Sequence, residues 1–541
     1  MSAGAVQAGP VGVVQNFVGL SAFDDAALNS GGFFIPPDQG SAVGPNHYME
    51  MVNLVTVVYN KNGTVAMPRQ SLGTFLANAG VTGLGNNLSD PRLVYDQGSQ
   101  RWFAVAITTE SNTNSIVLAV SQSSDPTGAW KATNFTANTT ANNFADYPTI
   151  AVDKNAFYIA TNNFMNGTTF DGTTLTTIPK ANLLNPLGPD VSNKTRFDVP
   201  NGGTAGTTPA TLAPVSAFDN RSNGVIISTD DFFPMSILHR FSVLNPGSNA
   251  PTLSSDNPIV VPTYWNNQNA HQPDGTRDLS GVDFRIGSNN VYQVGDILWA
   301  AQSILTSAVT GNGVYDAIRW YEINPTTNTL LQSGTISDPH HDYIFPSIAA
   351  NAAGDVIIGF SATGDSTTSD FPGAWYVAGT TIGGVTTFDV AQELQNGFGD
   401  YHLLDDNGHN RWGDFSAISV DPNDPNAFWI AEEVAIQGSS RVPIVWGTQI
   451  SELLFVPEPA SLVLLMLGLA VAAAPGAASI RVWEIMSRGR GLIVAWNSSS
   501  PGATGTAADI RAREVINGRG KTAPPSCTDS GRPSFTPAAL A

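Results

Sequence analysis

Cysteine is almost missing from this chain: of 541 residues only Cys527 carries a thiol. The long body before it therefore has no disulfide framework and no thiolate metal site. Charge is scarce too, at 13% of residues, and the little there is lies unevenly. Residues 476–541 hold eight Lys/Arg against four Asp/Glu, which leaves 16 against 40 for residues 1–475. A body at −24 repels phosphate backbones and anionic lipid, so nucleic acid is not expected as a partner. Long helical periodicity is absent from the body, which argues against an α/β enzyme. The phosphate-binding glycine loop, the dinucleotide fingerprint and the Gly-x-Ser-x-Gly elbow are missing as well. At the start, Met1–Pro10 lacks the basic region and apolar run of an export signal.

What the chain does contain is 52 Gly, 35 Pro and an apolar fraction of 42%, enough for a sizeable core made of short strands joined by frequent turns. One pattern recurs: a polar or Pro-led start, a short apolar strand, a turn rich in Asp, Asn or Gly, then a strand of aromatic and β-branched residues. It reads as 37–43 with 48–52, 90–96 with 101–107, 146–153 with 156–160, 214–219 with 224–228, 283–286 with 297–301, 345–349 with 355–360, and 412–420 with 427–432. The seven starts lie 53 to 69 residues apart, room for a four-stranded antiparallel unit and its loops. Third strands are expected at 115–120, 317–323 and 375–377. Such units repeated around an axis make an all-β propeller, which protects its sheet edges. Seven blades are expected over residues 11–455, with six as the alternative count because the third and fourth copies are weak. The last unit, ending near 442–450, lacks an outer strand, and residues 11–20 are expected to supply it and close the ring.

The far end reads as an address. Val456-Pro457-Glu458-Pro459 precedes an uncharged apolar run that ends before Arg481, with Arg488 and Arg490 following. About 20 residues at ~1.5 Å each match a bilayer core of roughly 30 Å, and the arginines behind the run would hold that end cytoplasmic. This order of tag, helix and arginines over 456–490 resembles the PEP-CTERM sorting signal of Gram-negative bacteria. The resemblance implies an exosortase-type sorting enzyme as partner, passage through the inner membrane on a single transmembrane helix, and an exported, membrane-anchored or cell-surface protein. Residues 1–10 read as the remnant of a leader, with an Ala-x-Ala-like step at Val6–Ala8, and 491–541 as a disordered tail whose composition suits a frameshift product. The phrases at 36–47, 90–96, 345–348 and 411–416 look like those of uncharacterised secreted bacterial propellers, related in shape to sialidases, which implies a fold and no activity.

Candidate chemistry is sparse. Ser123, Asp125, Gly128 and Trp130 resemble a sialidase Asp-box whose glycine falls one place late, a structural hairpin turn in any propeller. Arg92, Arg285 and Arg411 stand at blade starts beside Asp90, Asp283 and Asp414, and equivalent starts converge on the central channel. Such a ring of charge clamps a substrate carboxylate if the arginine forks are open, or holds the blades together if they are paired between blades. A glycosidase needs two carboxyls about 5–10 Å apart on an open face, and no such pair can be singled out, so no catalytic residue is assigned. His340, His341 and Tyr343 with Asp338 and Asp342 lack the spacing of a metal site. The run Asp405–Asn410 reads first as an Asx-rich turn, with Ca²⁺ the one cofactor it admits. The expectation is a binding or matrix-organising propeller, its ligand an extracellular polysaccharide, with a sialidase-like hydrolase or lyase as the alternative.

Overall fold

Strands whose two faces are both apolar need cover on both sides, and this chain has many. In a computed structural model that describes residues 11–456 except 110–112, 219–220, 232–234, 288–290, 307–313, 366–368 and 415, Arg101–Thr108 and Ser115–Ser121 are buried along nearly their whole length. Trp130–Thr136, the outermost strand of the same sheet, alternates buried and exposed. The contrast is that of a sheet sandwiched between neighbours at its centre and wetted at its rim.

Seven such sheets follow one another. Blade one is Gly40–Val43, His47–Val52, Val55–Asn60 and Val65–Ser71. Blade two is Leu88–Asp96, Arg101–Thr108, Ser115–Ser121 and Trp130–Thr136, and blade three is Asn143–Val152, Ala156–Met165, Thr169–Pro179 and Thr195–Val199. Blade four is Ala213–Pro214, Gly224–Thr229, Met235–Leu244 and Thr252–Leu253, with Ile259–Tyr264 added to its third strand. Blade five is Val291–Val294, Ile297–Leu305, Asp316–Asn324 and Thr329–Ile336. Blade six is His341–Ala350, Asp355–Gly364, Gly373–Ile382 and Val385–Phe388, with Gln392–Gln395 against its third strand. Blade seven is Ala417–Val420, Ala427–Gln437 and Ile444–Phe455, completed by Val11–Ser21 from the start of the chain. Val11 pairs with Phe455 and Phe17 with Ile450, so main-chain hydrogen bonds shut the ring. The all-β, seven-bladed propeller stands, and so does its closure. The helices among the described residues are short: Ala22–Leu28, Leu72–Asn78 and Lys180–Leu183.

Apolar faces meet between blades. Met49, Met51 and Val58 of blade one pack on Leu93, Trp102 and Ala104 of blade two. Phe103 of blade two stacks on Phe157 of blade three with centroids 5.0 Å apart, and Tyr48 of blade one stacks on Trp429 of blade seven at 5.4 Å. Each pair contributes about 1 kcal/mol beyond its area burial.

The inner strands share a device. Those of blades two, three and six are bulged at 89–92, 146–149 and 344–347. At each bulge a non-glycine residue in left-handed backbone precedes a proline: Asp90 (φ 53°), Tyr147 (φ 53°) and Phe345 (φ 51°). Proline has no N–H for the ladder, so a bulge is where a strand tolerates it. Asp38 (φ 48°) and Asp414 (φ 62°) take the same conformation just ahead of blades one and seven. Each such residue costs about 1–3 kcal/mol unless its surroundings hold it, and such strain collects at functional sites.

Two expected strands are displaced. The inner strand of blade five is Val291–Val294, not 283–286, and that of blade seven begins at Ala417, not at Trp412. Both misplaced stretches belong to the long connections ahead of blades five and seven, which pair in parallel through Leu279–Ser280 and Asn410–Arg411. No helix among the described residues is long and apolar enough to cross a membrane. The leader at 1–10, the sorting signal beyond Val456 with Arg481, Arg488 and Arg490, and the tail 491–541 lie outside the described residues.

Candidate functional site

Four of the left-handed residues at the blade starts, Asp38, Asp90, Tyr147 and Asp414, come together at one end of the channel. The sequence-predicted set, Arg92, Asp90, Arg285, Asp283, Arg411 and Asp414, comes together there, joined by Asp38, Asp146, Tyr147 and Glu433. Asn53 donates to Asp38 Oδ2 (2.5 Å) and accepts the Asp90 N–H (2.9 Å). Asp90 Oδ2 accepts the Tyr147 N–H (3.1 Å). The Tyr147 hydroxyl donates to Asp283 Oδ2 (2.9 Å) and lies 3.3 Å from the Asp414 carbonyl oxygen. One hydrogen-bond chain thus runs from blade one through blades two and three to the connections ahead of blades five and seven.

Arg285 and Arg411 each find a carboxylate within their own connection. Arg285 forks onto Asp283 of its own connection (2.7 and 2.8 Å), with its guanidinium 4.0 Å over the Tyr147 ring. Arg411 pairs with Asp414, three residues on, at 2.7 Å. Only 1% exposed, Arg92 donates to the Gln39 carbonyl at 3.2 Å. The side chains of Arg285, Arg411 and Asp414 are 25%, 31% and 26% exposed, so water reaches the ring from one side.

Burial and like charge press on the carboxyls. Burial, then Asp90 and Asp414, lifts Asp38 well above the usual range. Burial and Asp90 push Asp146 up to about 7. Asp414 is raised by burial although Arg411 and Arg285 oppose it. Glu433, 1% exposed, is raised by burial against the Gly413 N–H that it accepts at 2.6 Å. Burial lowers Arg92 to about 10. Partial burial works against the Arg285 charge, yet Asp283 and Tyr147 outweigh it and hold that charge more firmly than usual. A carboxyl near 7 can hand over or take up a proton at neutral pH; paired guanidiniums cannot also grip a second anion with the same edge.

Sequence reasoning missed Asp38, Asp146, Tyr147 and Glu433. A signal for three of them was there, because Pro37-Asp38, Asp146-Tyr147-Pro148 and Asp90-Pro91 open successive repeats. Further along the inner strands the channel narrows to a cavity of about 60 Å³, walled by Val94, Ile150, Phe218, Tyr292, Ile348 and Ile418.

The remaining candidates make local contacts away from the ring. Asp125 Oδ1 accepts the Thr127 N–H (2.9 Å) and hydroxyl (2.7 Å), the Ser123 hydroxyl accepts the Asp125 N–H (3.2 Å), and Gly128 N–H closes the turn on Asp125 O (3.2 Å). Trp130 is buried beside Phe75 and donates to Pro126 O (2.8 Å). Asp405 accepts the N–H groups of Asn407 and His409, both at 2.9 Å, as an Asx turn does. His341 opens a strand and pairs with Asp338 (3.0 Å), while Asp342 turns inward to His271 (2.7 Å). Among the described residues no group of three or more His, Cys, Asp or Glu is arranged to hold a metal ion.

Comparison with described protein families finds no match, and none is found among curated proteins. Solved structures do resemble the chain at low identity. Drosophila Plexin A, in complex with Semaphorin 1b, is 9% identical with a TM-score of 0.39 over 82% of this chain and 88% of its own. The Trypanosoma rangeli sialidase in complex with sialic acid is 9% identical at 0.35, over 81% of this chain and 62% of its own. An α-L-arabinofuranosidase from Fusarium graminearum is 9% identical at 0.34, over 67% and 92%. The seven-bladed propeller follows from the strand topology of this chain itself, independently of these likenesses.

Proposed function

We propose that this chain is an exported, surface-sorted propeller that binds or organises extracellular polysaccharide without cleaving it. The address at Val456–Pro459 with Arg481, Arg488 and Arg490 supports the location: an exosortase-type enzyme would act on it at the inner membrane of a Gram-negative bacterium. The observation that carries the binding reading is the state of the channel mouth. Arg285 and Arg411 are each engaged by their own Asp, and the carboxyls outnumber the guanidiniums, so the site does not suit clamping an acidic sugar. It suits a neutral or cationic one, held by carboxylates and the Tyr147 hydroxyl. Purified full-length protein should sediment with matrix polysaccharide and leave its reducing ends unchanged; their release would overturn the reading. Exchange of Pro457 and Pro459 for Ala should leave the protein in the inner-membrane fraction.

A second reading, a glycoside hydrolase, is favoured by one observation. Asp146, pushed up to about 7, faces Asp90 and Asp414, and a protonated carboxyl beside an ionised one is what glycoside cleavage uses. Turnover of neutral chromogenic glycosides, abolished in Asp146→Asn, would establish it.

A further inference from the structure

We propose that the carboxylate ring at the channel mouth binds a primary ammonium group, the protonated amine of an amino-sugar unit in a polysaccharide. The inference rests on the matrix-binding reading and names the ligand class of that site. The acidic ring is not its only support. Asp38 is 5% exposed, its Oδ1 has no hydrogen-bond partner, and it faces Asp90, Asp414 and Arg411. Glu433, 1% exposed beside Asp414 and Arg411, likewise has an Oε1 with no partner. Buried acceptors are almost always satisfied, so two such atoms turned on one ring mark the place of an absent donor. The donor must be positive, since the ring holds more carboxyls than guanidiniums and Arg285 and Arg411 already face Asp283 and Asp414. Among the described residues no carboxylate set is shaped for a metal ion. An ammonium, with three N–H donors reaching about 2.8 Å, suits a wider ring.

Charge is balanced in the free protein by protons. Asp38, facing Asp90, Asp414, Arg411, Arg92 and Asn53, and Asp146, facing Asp90, Asp414 and Arg285, both hold theirs more tightly than usual. An arriving ammonium takes over that role, so binding releases protons and weakens as the solution is acidified.

The test is calorimetry on the full-length protein at pH 7, in two buffers of different ionisation enthalpy, with a glucosamine tetramer and its N-acetylated form. The amine tetramer should bind at least tenfold more tightly, with a buffer-dependent heat that reports proton release. Asp414→Asn and Asp38→Asn should each weaken it tenfold or more; Asn accepts left-handed backbone well, which favours folding. Asp190→Asn, at an exposed carboxylate, should change nothing. Equal affinity for the two tetramers overturns the ammonium site and leaves the polysaccharide reading standing. Binding of neither overturns both. Saturable binding of CaCl₂ alone that is lost in Asp414→Asn shows a metal site and overturns the proposal.

Discussion

Glu50, in the second strand of blade one, accepts the main-chain N–H of Leu20 at 2.9 Å, so a buried carboxyl ties the first blade to the strand that closes the last. The Thr448 hydroxyl reaches the other oxygen and lies 3.1 Å from Leu20 O as well. Burial raises Glu50 from 4.5 to about 7, with these hydrogen bonds working the other way.

The sign of that shift sets the first prediction. The folded state binds the Glu50 proton more tightly than the unfolded chain, so its contribution is complete below about pH 4.5 and is lost as pH rises through about 7. The full span is about 3 kcal/mol. Glu50→Gln should match the wild type near pH 4.5 and exceed it at pH 8, measured by urea unfolding across that range. A wild-type stability that rises over that interval would contradict it. The amide loses one acceptor position, which Thr448 can offset by donating to Leu20 O.

Tyr147→Phe keeps the ring under the Arg285 guanidinium and removes the donor to Asp283. Loss of a hydrogen bond to a charged group costs about 1.5–3 kcal/mol. Urea unfolding should show a loss in that range with the slope unchanged. No loss would mean that the hydrogen-bond chain around the channel mouth does not hold the blades.

Asp283→Asn takes the charge from the carboxyl on which Arg285 forks. With its partner neutral, the guanidinium can face outward through the quarter of its surface that is wet. Binding to an acidic sugar such as a uronic-acid oligomer should rise severalfold in calorimetry. An unchanged preference would show that Arg285 does not face the ligand.

The Asp-box-like turn separates two contributions. Asp125→Ala removes exposed turn hydrogen bonds and should cost about 1 kcal/mol. Trp130→Ala empties a buried site against Phe75 and should cost about 3–5 kcal/mol. Thermal unfolding of both variants checks the ratio. Equal losses would make the turn, rather than the packed ring, the element that holds this corner of blade two.

The propeller was largely legible because its information is local and repeated. Arg101–Thr108 and Ser115–Ser121 announce themselves by apolar runs, and the missing outer strand at the end pointed back to Val11. Blade five misled. Asp283–Ile286 copies the repeat's opening but lies in a connection, while the true inner strand, Val291–Val294, is four residues with little pattern of its own. The channel mouth was half legible: the Arg and Asp residues were in view, but their pairing within connections, and the part of Tyr147, were not. Hydrogen bonds spanning more than a hundred residues, as from Tyr147 to Asp283, leave no periodic trace.

From sequence alone came the repeated sheet unit with a count of seven or six, the strand that closes the ring and the net negative charge of the body, since each depends on composition or on spacing that repeats along the chain. The tertiary structure decided which carboxyls meet, which arginines are already paired and which buried oxygens lack a donor. Those follow from distances between blades, and five left-handed turns of backbone at the blade starts aim side chains in ways that no spacing along the chain encodes.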